Sequence, residues 1–278
     1  MVFAGTSTGI APAKLTKWLK VGELGRDGLH AIESEMMSVS LVDRITVTEG
    51  TGMDLLDPFG VVAERLAGSG PFPVDGSNLV NRAMDLFGVD AHVELEKSIP
   101  ISAGLGGGSS DAACMFRLLG RPDSVELAMK LGSDIPFCLK GGRAIVSGYG
   151  EKVEPLDYVD EQFALLLVPV AISTKLVYET FDRVGGEGQN HLLKSALECS
   201  AELAAVYDEV SELVGIRPHL AGSGSTLFYE LDVVDWDDLT AGLLARHHRT
   251  APGWFQFEAS GLTVTLVRVN TLPPEVEA

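Results

Sequence analysis

The chain has 278 residues, 46% of them hydrophobic, enough for a substantial core in one large or two closely joined domains. Its formal charge is −18, from 39 acidic against 21 basic residues, the opposite of the balance expected of a nucleic-acid binder. Three cysteines lie far apart, and neither a signal peptide nor a long apolar span is visible. Free thiols in a reducing cytoplasm are therefore expected, with no membrane contact.

In chain order, residues 9–21 mix small, basic and apolar side chains, and Ala11-Pro-Ala-Lys-Leu15 reads as the start of a strand. A charged, glycine-containing turn at 22–28 leads to alternating residues 35–49, read as strands. A loop at 68–76 precedes a helix over 77–87, followed by a half-buried strand at 91–96. Residues 109–119 read as a helix, and residues 124–131 as a short one stopped by Gly132. A hairpin surrounds Ala144-Ile-Val146, ahead of Gly148 and Gly150, and the apolar run 163–170 suits a buried strand. Residues 192–213 read as one helix, 219–231 as a loop feeding a strand, 239–247 as a helix and 262–269 as a closing strand. The tail, 273–278, is Pro/Glu-rich and expected to fray. Strands and helices mix without a strict βαβ rhythm, which points to α+β.

The run Pro100-Ile-Ser-Ala-Gly-Leu-Gly-Gly-Gly-Ser-Ser-Asp-Ala-Ala113 joins a strand to a helix. Glycine weakens both kinds of element, so four within five positions imply close approach of backbone to a ligand. A glycine loop at a helix N-terminus offers unpaired N–H groups and the positive end of the helix dipole, and phosphate suits it. The spacing is neither G-x-x-x-x-G-K-[ST] nor G-x-G-x-x-G, since position 109 is Ser109. An acidic protein that holds an anionic nucleotide must concentrate its cations, which singles out Lys14, Lys17, Lys20, Arg26 and Lys97.

Three segments in order carry a family resemblance. The first is Ala11-Pro-Ala-Lys-Leu15 with Arg26-Asp-Gly-Leu-His30. The second is the glycine run with Ser133-Asp-Ile-Pro-Phe137. The third is Ala221-Gly-Ser-Gly-Ser-Thr-Leu-Phe228. The set resembles the GHMP small-molecule kinases across roughly residues 9–270. The triple glycine ending in Ser-Ser-Asp-Ala-Ala is similar to the branch acting on a cytidine-diphosphate-linked methylerythritol. The resemblance implies a two-lobed α+β fold, with a ribosomal-S5-like lobe over 1–155 and a ferredoxin-like lobe over 156–278. It also implies ATP-dependent phosphorylation of the polyol's 2-hydroxyl in non-mevalonate isoprenoid synthesis, with ATP and Mg²⁺ as cofactors and a small molecule as the only implied partner. The alternatives are a GHMP kinase for another alcohol and a catalytically silent nucleotide-binding relative.

Residue by residue, the resemblance makes Lys14 and Asp134 the catalytic pair. The chemistry agrees: phosphoryl transfer needs a carboxylate to take the hydroxyl proton and a cation for the spreading charge. Pro100, Gly104, Leu105, Gly106, Gly107, Gly108, Ser109 and Ser110 form the ATP loop, with Ser110 favoured over a helix-cap role for Mg²⁺ or phosphate. Asn78 and Lys97 match adenine contacts; their plain alternatives are a helix cap and a strand-end surface charge. His30 matches a cytosine-recognising histidine, and Thr174 and Tyr178 match the far side of that pocket. Two positions depart from the family. Leu29 stands where a tyrosine stacks on cytosine, and Thr16 where an asparagine follows the lysine motif. Both fall on the acceptor side.

Overall fold

Two long strands, β1 (Thr6–Leu24) and β2 (His30–Thr48), open the chain and pair antiparallel along their whole length. The structure is a computed structural model and describes residues 3–25, 28–62, 72–243, 247–251 and 254–274. Strand β1 alternates in burial at its start, then buries residues 11–16 in succession. There it is covered on both faces, so the alternating signal disappears. A register shift falls between Pro12 and Ala13, where proline has no N–H for the ladder.

β3 (Gly52–Leu56) lies parallel to β4 (His92–Glu96), which pairs with residues 44–48 of β2. On residues 32–37 of β2 sits β5 (Arg143–Gly148), which forms a hairpin with β6 (Lys152–Leu156). Helices α1 (Leu79–Phe87), α2 (Gly107–Leu118), α3 (Val125–Leu131) and α4 (Ile135–Lys140) pack on this first sheet around Ile45, Val93, Leu95, Phe116 and Phe137.

The second sheet is built around β7 (Gln162–Leu167), whose central place explains its unbroken apolar sequence. Its other strands are β8 (His219–Leu220), β9 (Leu227–Glu230), β10 (His247–Ala251), β11 (Trp254–Ala259) and β12 (Leu262–Asn270), in the order β10-β11-β12-β7-β9-β8. Helices α5 (Thr174–Val184), α6 (Leu193–Cys199), α7 (Ala201–Val214) and α8 (Trp236–Leu243) contribute to its core. A third buried cluster joins the two sheets, bringing Leu15, Met37, Ile99 and Leu105 against Phe163, Leu165, Ala221 and Phe228.

Several expectations need correction. Residues 192–213 are two helices, not one. Ser200 is extended (φ −142°) and its hydroxyl accepts the Leu203 N–H at 3.1 Å, starting α7 afresh. The C-terminal helix begins at Trp236 and ends at Leu243, with residues 247–251 in a strand. Strands β3 and β11 and the short helix α4 were not visible as pattern. The Arg26-Asp27 pair of the first motif, part of the 68–76 loop and the end of the tail lie outside the described residues. Among the described residues no helix is long and apolar enough to cross a membrane. The three cysteines are free thiols.

The glycine loop is fastened from beneath by a buried charge cluster. Lys97, at the end of β4, is 1% exposed, contrary to a surface reading. Its Nζ donates to Asp43 of β2 and, at 2.6 Å, to Asp111 of α2. Asp43 Oδ1 also accepts the Ser98 and Ile99 N–H groups at 2.6 and 2.8 Å, holding the chain where it enters the loop. Burial, reinforced by Asp43, pushes the Asp111 carboxyl above the usual carboxylate range despite Lys97. One cation thus ties three elements around the loop. Lys97→Met leaves two buried carboxylates without their cation and is expected to cost about 3–5 kcal/mol. Chemical denaturation would measure it, and a loss under about 1 kcal/mol would contradict this account.

Candidate active site

Gly106, not Ser109, is the N-cap of α2, and no side chain caps that end. The helix therefore starts inside the glycine run, and its first N–H groups have no intrahelical acceptor. Gly104 (φ 78°) and Gly106 (φ 66°) occupy the left-handed region, where other residues are strained. A Cβ at Gly104 would overlap the Ala221 carbonyl, and one at Gly106 would stand 2.6 Å from Lys14 Cγ. Gly107 has an ordinary φ, and its constraint is space: Ile99 Cγ2 and Lys97 Nζ lie 3.0 and 3.2 Å from its would-be Cβ.

A cavity of about 600 Å³ opens over this helix end. Pro100, Gly104, Gly106, Gly107, Gly108 and Ser109 line it from the loop, Lys14 and Thr16 from β1, Asp134 from the start of α4, and Thr174 and Tyr178 from α5. Lys97 reaches it only from below. Lys14 is 6% exposed; its Nζ donates to Thr16 Oγ1 at 3.1 Å and lies 3.5 Å from Asp134 Oδ2. Its backbone N–H donates to the Leu105 carbonyl at 2.9 Å, so strand and loop are locked together. Asp134 sits at the N-cap position of α4 with its side chain about a third exposed, and its own carboxylate makes no capping bond.

A second cavity, of about 490 Å³, shares Ser133, Thr174 and Tyr178 with the first and is lined further by Leu29, His30 and Tyr149. Burial, with the Asp134 charge adding, pushes the Tyr178 hydroxyl up to about 12, so it stays a neutral donor. Thr174 Oγ1 pairs with Ser223 Oγ at 3.0 Å, and Leu29 is 57% exposed.

Five expected site residues are engaged within the protein, although Lys97 and His30 also line the two cavities. Asn78 caps α1: its Oδ1 accepts the Val80 N–H and its Nδ2 donates to the Pro73 carbonyl, while the neighbouring Leu79 lines the cavity. The Lys97 ammonium is committed to Asp43 and Asp111. The Leu105 side chain is buried in the core between the sheets. Ser110 Oγ donates to the Pro12 carbonyl at 2.7 Å beneath the helix, so of the two serines at the helix start it is Ser109 that lines the cavity. Both His30 ring nitrogens have partners at 2.8 Å, the Gly22 carbonyl and the Asp182 carboxylate. Of the other cations singled out, Lys17 pairs with Glu161 and Glu230, and Lys20 with Glu33.

Residues 221–224 were noted in the sequence without a site role. Gly222 and Ser223 line the first cavity, held by Asn190 Nδ2, which donates to the Leu220 and Gly222 carbonyls. The Thr226 N–H donates to the Ala103 carbonyl at 3.1 Å, closing this loop on the glycine loop. Serine and glycine between two glycine turns were the available signal.

A loop of bare N–H groups at a helix end can hold a nucleotide's phosphates. The lysine–aspartate pair beside it can serve a proton-linked transfer. Residues 78–142 match the GHMP kinases N terminal domain. A solved homoserine kinase from Cytophaga hutchinsonii shares the fold, with a TM-score of 0.56 at 14% identity over 95% of this chain and 96% of its own. Fold and site thus define a small-molecule kinase of the GHMP class, and such kinases use ATP. A 4-diphosphocytidyl-2-C-methyl-D-erythritol kinase from Erythrobacter litoralis is 34% identical over 275 residues, covering 90% of this chain and 97% of the relative. A crystal structure of 4-(cytidine 5'-diphospho)-2C-methyl-D-erythritol kinase aligns at a TM-score of 0.66 and 27% identity, over 94% of this chain and 99% of its own. The chain belongs to the 4-diphosphocytidyl-2-C-methyl-D-erythritol kinase family.

Gly106→Ala forces the Lys14 side chain aside and strains a left-handed position. A kcat lowered at least about tenfold in a folded variant is expected, since the charge stabilisation given by one well-placed group is commonly larger than that. Steady-state kinetics with circular dichroism would measure it, and unchanged kcat would show that Lys14 placement does not depend on this glycine.

Proposed function

We propose that the chain transfers the γ-phosphoryl group of ATP to the 2-hydroxyl of 4-diphosphocytidyl-2-C-methyl-D-erythritol. The observation that carries this reading is the Lys14–Asp134 pair, 3.5 Å apart, beside the uncapped end of α2 and next to the wall the two cavities share. ATP takes the first cavity, its phosphates on the N–H groups of 106–109 and its base against apolar walls such as Leu79 and Pro100. The acceptor takes the second and extends its polyol past Thr174 toward Asp134. The division into lobes at 155/156 falls within β6 (Lys152–Leu156), the last strand in chain order of the first sheet.

Asp134 accepts the hydroxyl proton as the new O–P bond forms. It is open to the cavity and held ready by the adjacent ammonium. Lys14, buried and fixed by Thr16, supplies positive charge where the transferring group becomes most negative. Thr16 takes over the placing of Lys14 with a shorter side chain than the asparagine usual in the family. Mg²⁺ binds nucleotide phosphates with few protein ligands, and the donor set here fits that habit. Ser109 offers one hydroxyl on the cavity, and no group of three or more acidic, His or Cys residues suited to a metal occurs among the described residues. When bound, Mg²⁺ neutralises part of the phosphate charge.

A second reading, a GHMP kinase for another alcohol, is favoured by exposed Leu29 and the doubly bonded His30 ring. An acceptor screen by mass spectrometry, with the cytidine-linked polyol included, separates the two. Preference for a simple alcohol would overturn the leading reading.

Asp134→Asn is expected to bind ATP normally and lose roughly 10²–10⁴-fold in kcat, the usual range for removing a general base. Lys14→Met should lose turnover comparably. Near-normal kcat in both would remove the pair from the mechanism. Leu29→Tyr is expected to lower the acceptor KM roughly fivefold, the low end of a stacking gain, with the ATP KM unchanged.

A further inference from the structure

The hairpin turn between β5 and β6 is built more tightly than a connection needs. Gly148 (φ 72°) and Gly150 (φ 105°) hold left-handed conformations on either side of Tyr149. The Glu151 carboxylate accepts the Tyr149 N–H at 2.6 Å and fills the space a side chain at 148 would need. Gly150 presses on Ser133, whose carbonyl a Cβ there would overlap. The turn is therefore braced against the residue preceding Asp134. Tyr149, 39% exposed, lines the second cavity.

Apart from Tyr178, the rest of that cavity is poorly equipped to grip a flat ring. Leu29 offers only an aliphatic surface. The His30 imidazole is bonded at both nitrogens, stacks on Tyr178 (centroids 5.8 Å, planes 27° apart) and meets Phe181 edge-on. Its ring is thus occupied by the protein itself. Of the rings lining the cavity, Tyr149 lies on the first sheet's hairpin and Tyr178 on α5, so a planar base can be held between elements of the two lobes.

We infer that Tyr149 is a specificity-determining residue, its ring supplying the flat face on which the acceptor's pyrimidine stacks in place of an aromatic at position 29. This rests on the reading of the second cavity as the acceptor's. The two glycines and Glu151 then have a purpose: they hold one aromatic ring in place at low entropic cost, because a pre-formed turn has little left to order on binding. Stacking tolerates any base with a π-face, so Tyr149 selects an acceptor carrying a base over one without it.

The test is steady-state kinetics of the wild type and of Tyr149→Ala, Tyr149→Leu and Tyr149→Phe. The acceptors are the cytidine-linked polyol and 2-C-methylerythritol 4-phosphate, which lacks the base. With the cytidine-linked acceptor, Tyr149→Ala and Tyr149→Leu are expected to raise KM about tenfold, Tyr149→Phe to stay within twofold, and ATP KM and kcat to hold throughout. Adding Leu29→Tyr to Tyr149→Ala should recover most of the loss. With the base-free acceptor, no variant should differ from the wild type. An unchanged acceptor KM in both Tyr149→Ala and Tyr149→Leu overturns the inference alone, as does a Tyr149→Phe as impaired as Tyr149→Leu. If Tyr149→Ala does not fold, the Leu and Phe pair decides. Failure of the wild type to use the cytidine-linked acceptor overturns the functional reading and the inference with it.

Discussion

A lysine ammonium buried between two carboxylates is the constraint from which the site is built. Lys97 cannot leave Asp43 and Asp111 without stranding charges in the core, and each partner belongs to a different element. Asp43 fixes β2 and the chain entering the loop, Asp111 fixes α2, and Lys97 fixes the end of β4. The glycine run between them has little conformational preference of its own. Its shape is imposed by these neighbours and by the Lys14–Leu105 backbone bond, so the helix end arrives with its N–H groups aimed at the cavity.

The two sheets' surroundings meet where side chains are smallest. Gly104 touches the backbone of residues 221–224, and the shared core of Leu15, Ile99, Phe163 and Phe228 lies behind that contact. Close approach brings a β1 lysine, an α4 aspartate and an α5 threonine to one cavity. It also resolves the charge problem of a protein at −18 that must hold a nucleotide. Two lysines, held by three acidic partners, reach the loop, while exposed cations such as Lys20 pair locally on the surface. Local arrangement, not net charge, decides whether such a loop can hold an anion.

Much of this was legible in the chain. The glycine run, the lysine at 14 and the aspartate at 134 stood out in the sequence, and the fold brings them to one cavity. The strands at 92–96 and 262–270 and the helix at 79–87 followed from ordinary periodicity. What the sequence left open was side-chain direction. Ser109 and Ser110 are adjacent, and about 100° of helix rotation sends one to the cavity and the other to the Pro12 carbonyl. Asn78 lies next to a cavity residue and Lys97 at the base of the cavity, yet they spend their polar atoms on a cap and a buried cluster, a choice invisible without the partners Pro73, Asp43 and Asp111. The break at Ser200 escaped because the apolar pattern continues across it while one hydroxyl restarts the helix.

The sequence by itself determined the family, the α+β class and the glycine-rich turn into a helix, because these reside in local patterns of residue type and order. Only the tertiary structure decided which hydroxyl faces the cavity, that Lys97 is a buried anchor, that His30 is already occupied by Gly22 and Asp182, and that Tyr149 borders the second cavity. Each of these depends on groups brought together from distant parts of the chain. Burial and hydrogen-bond satisfaction, which set where a polar side chain turns, are properties of the packed whole.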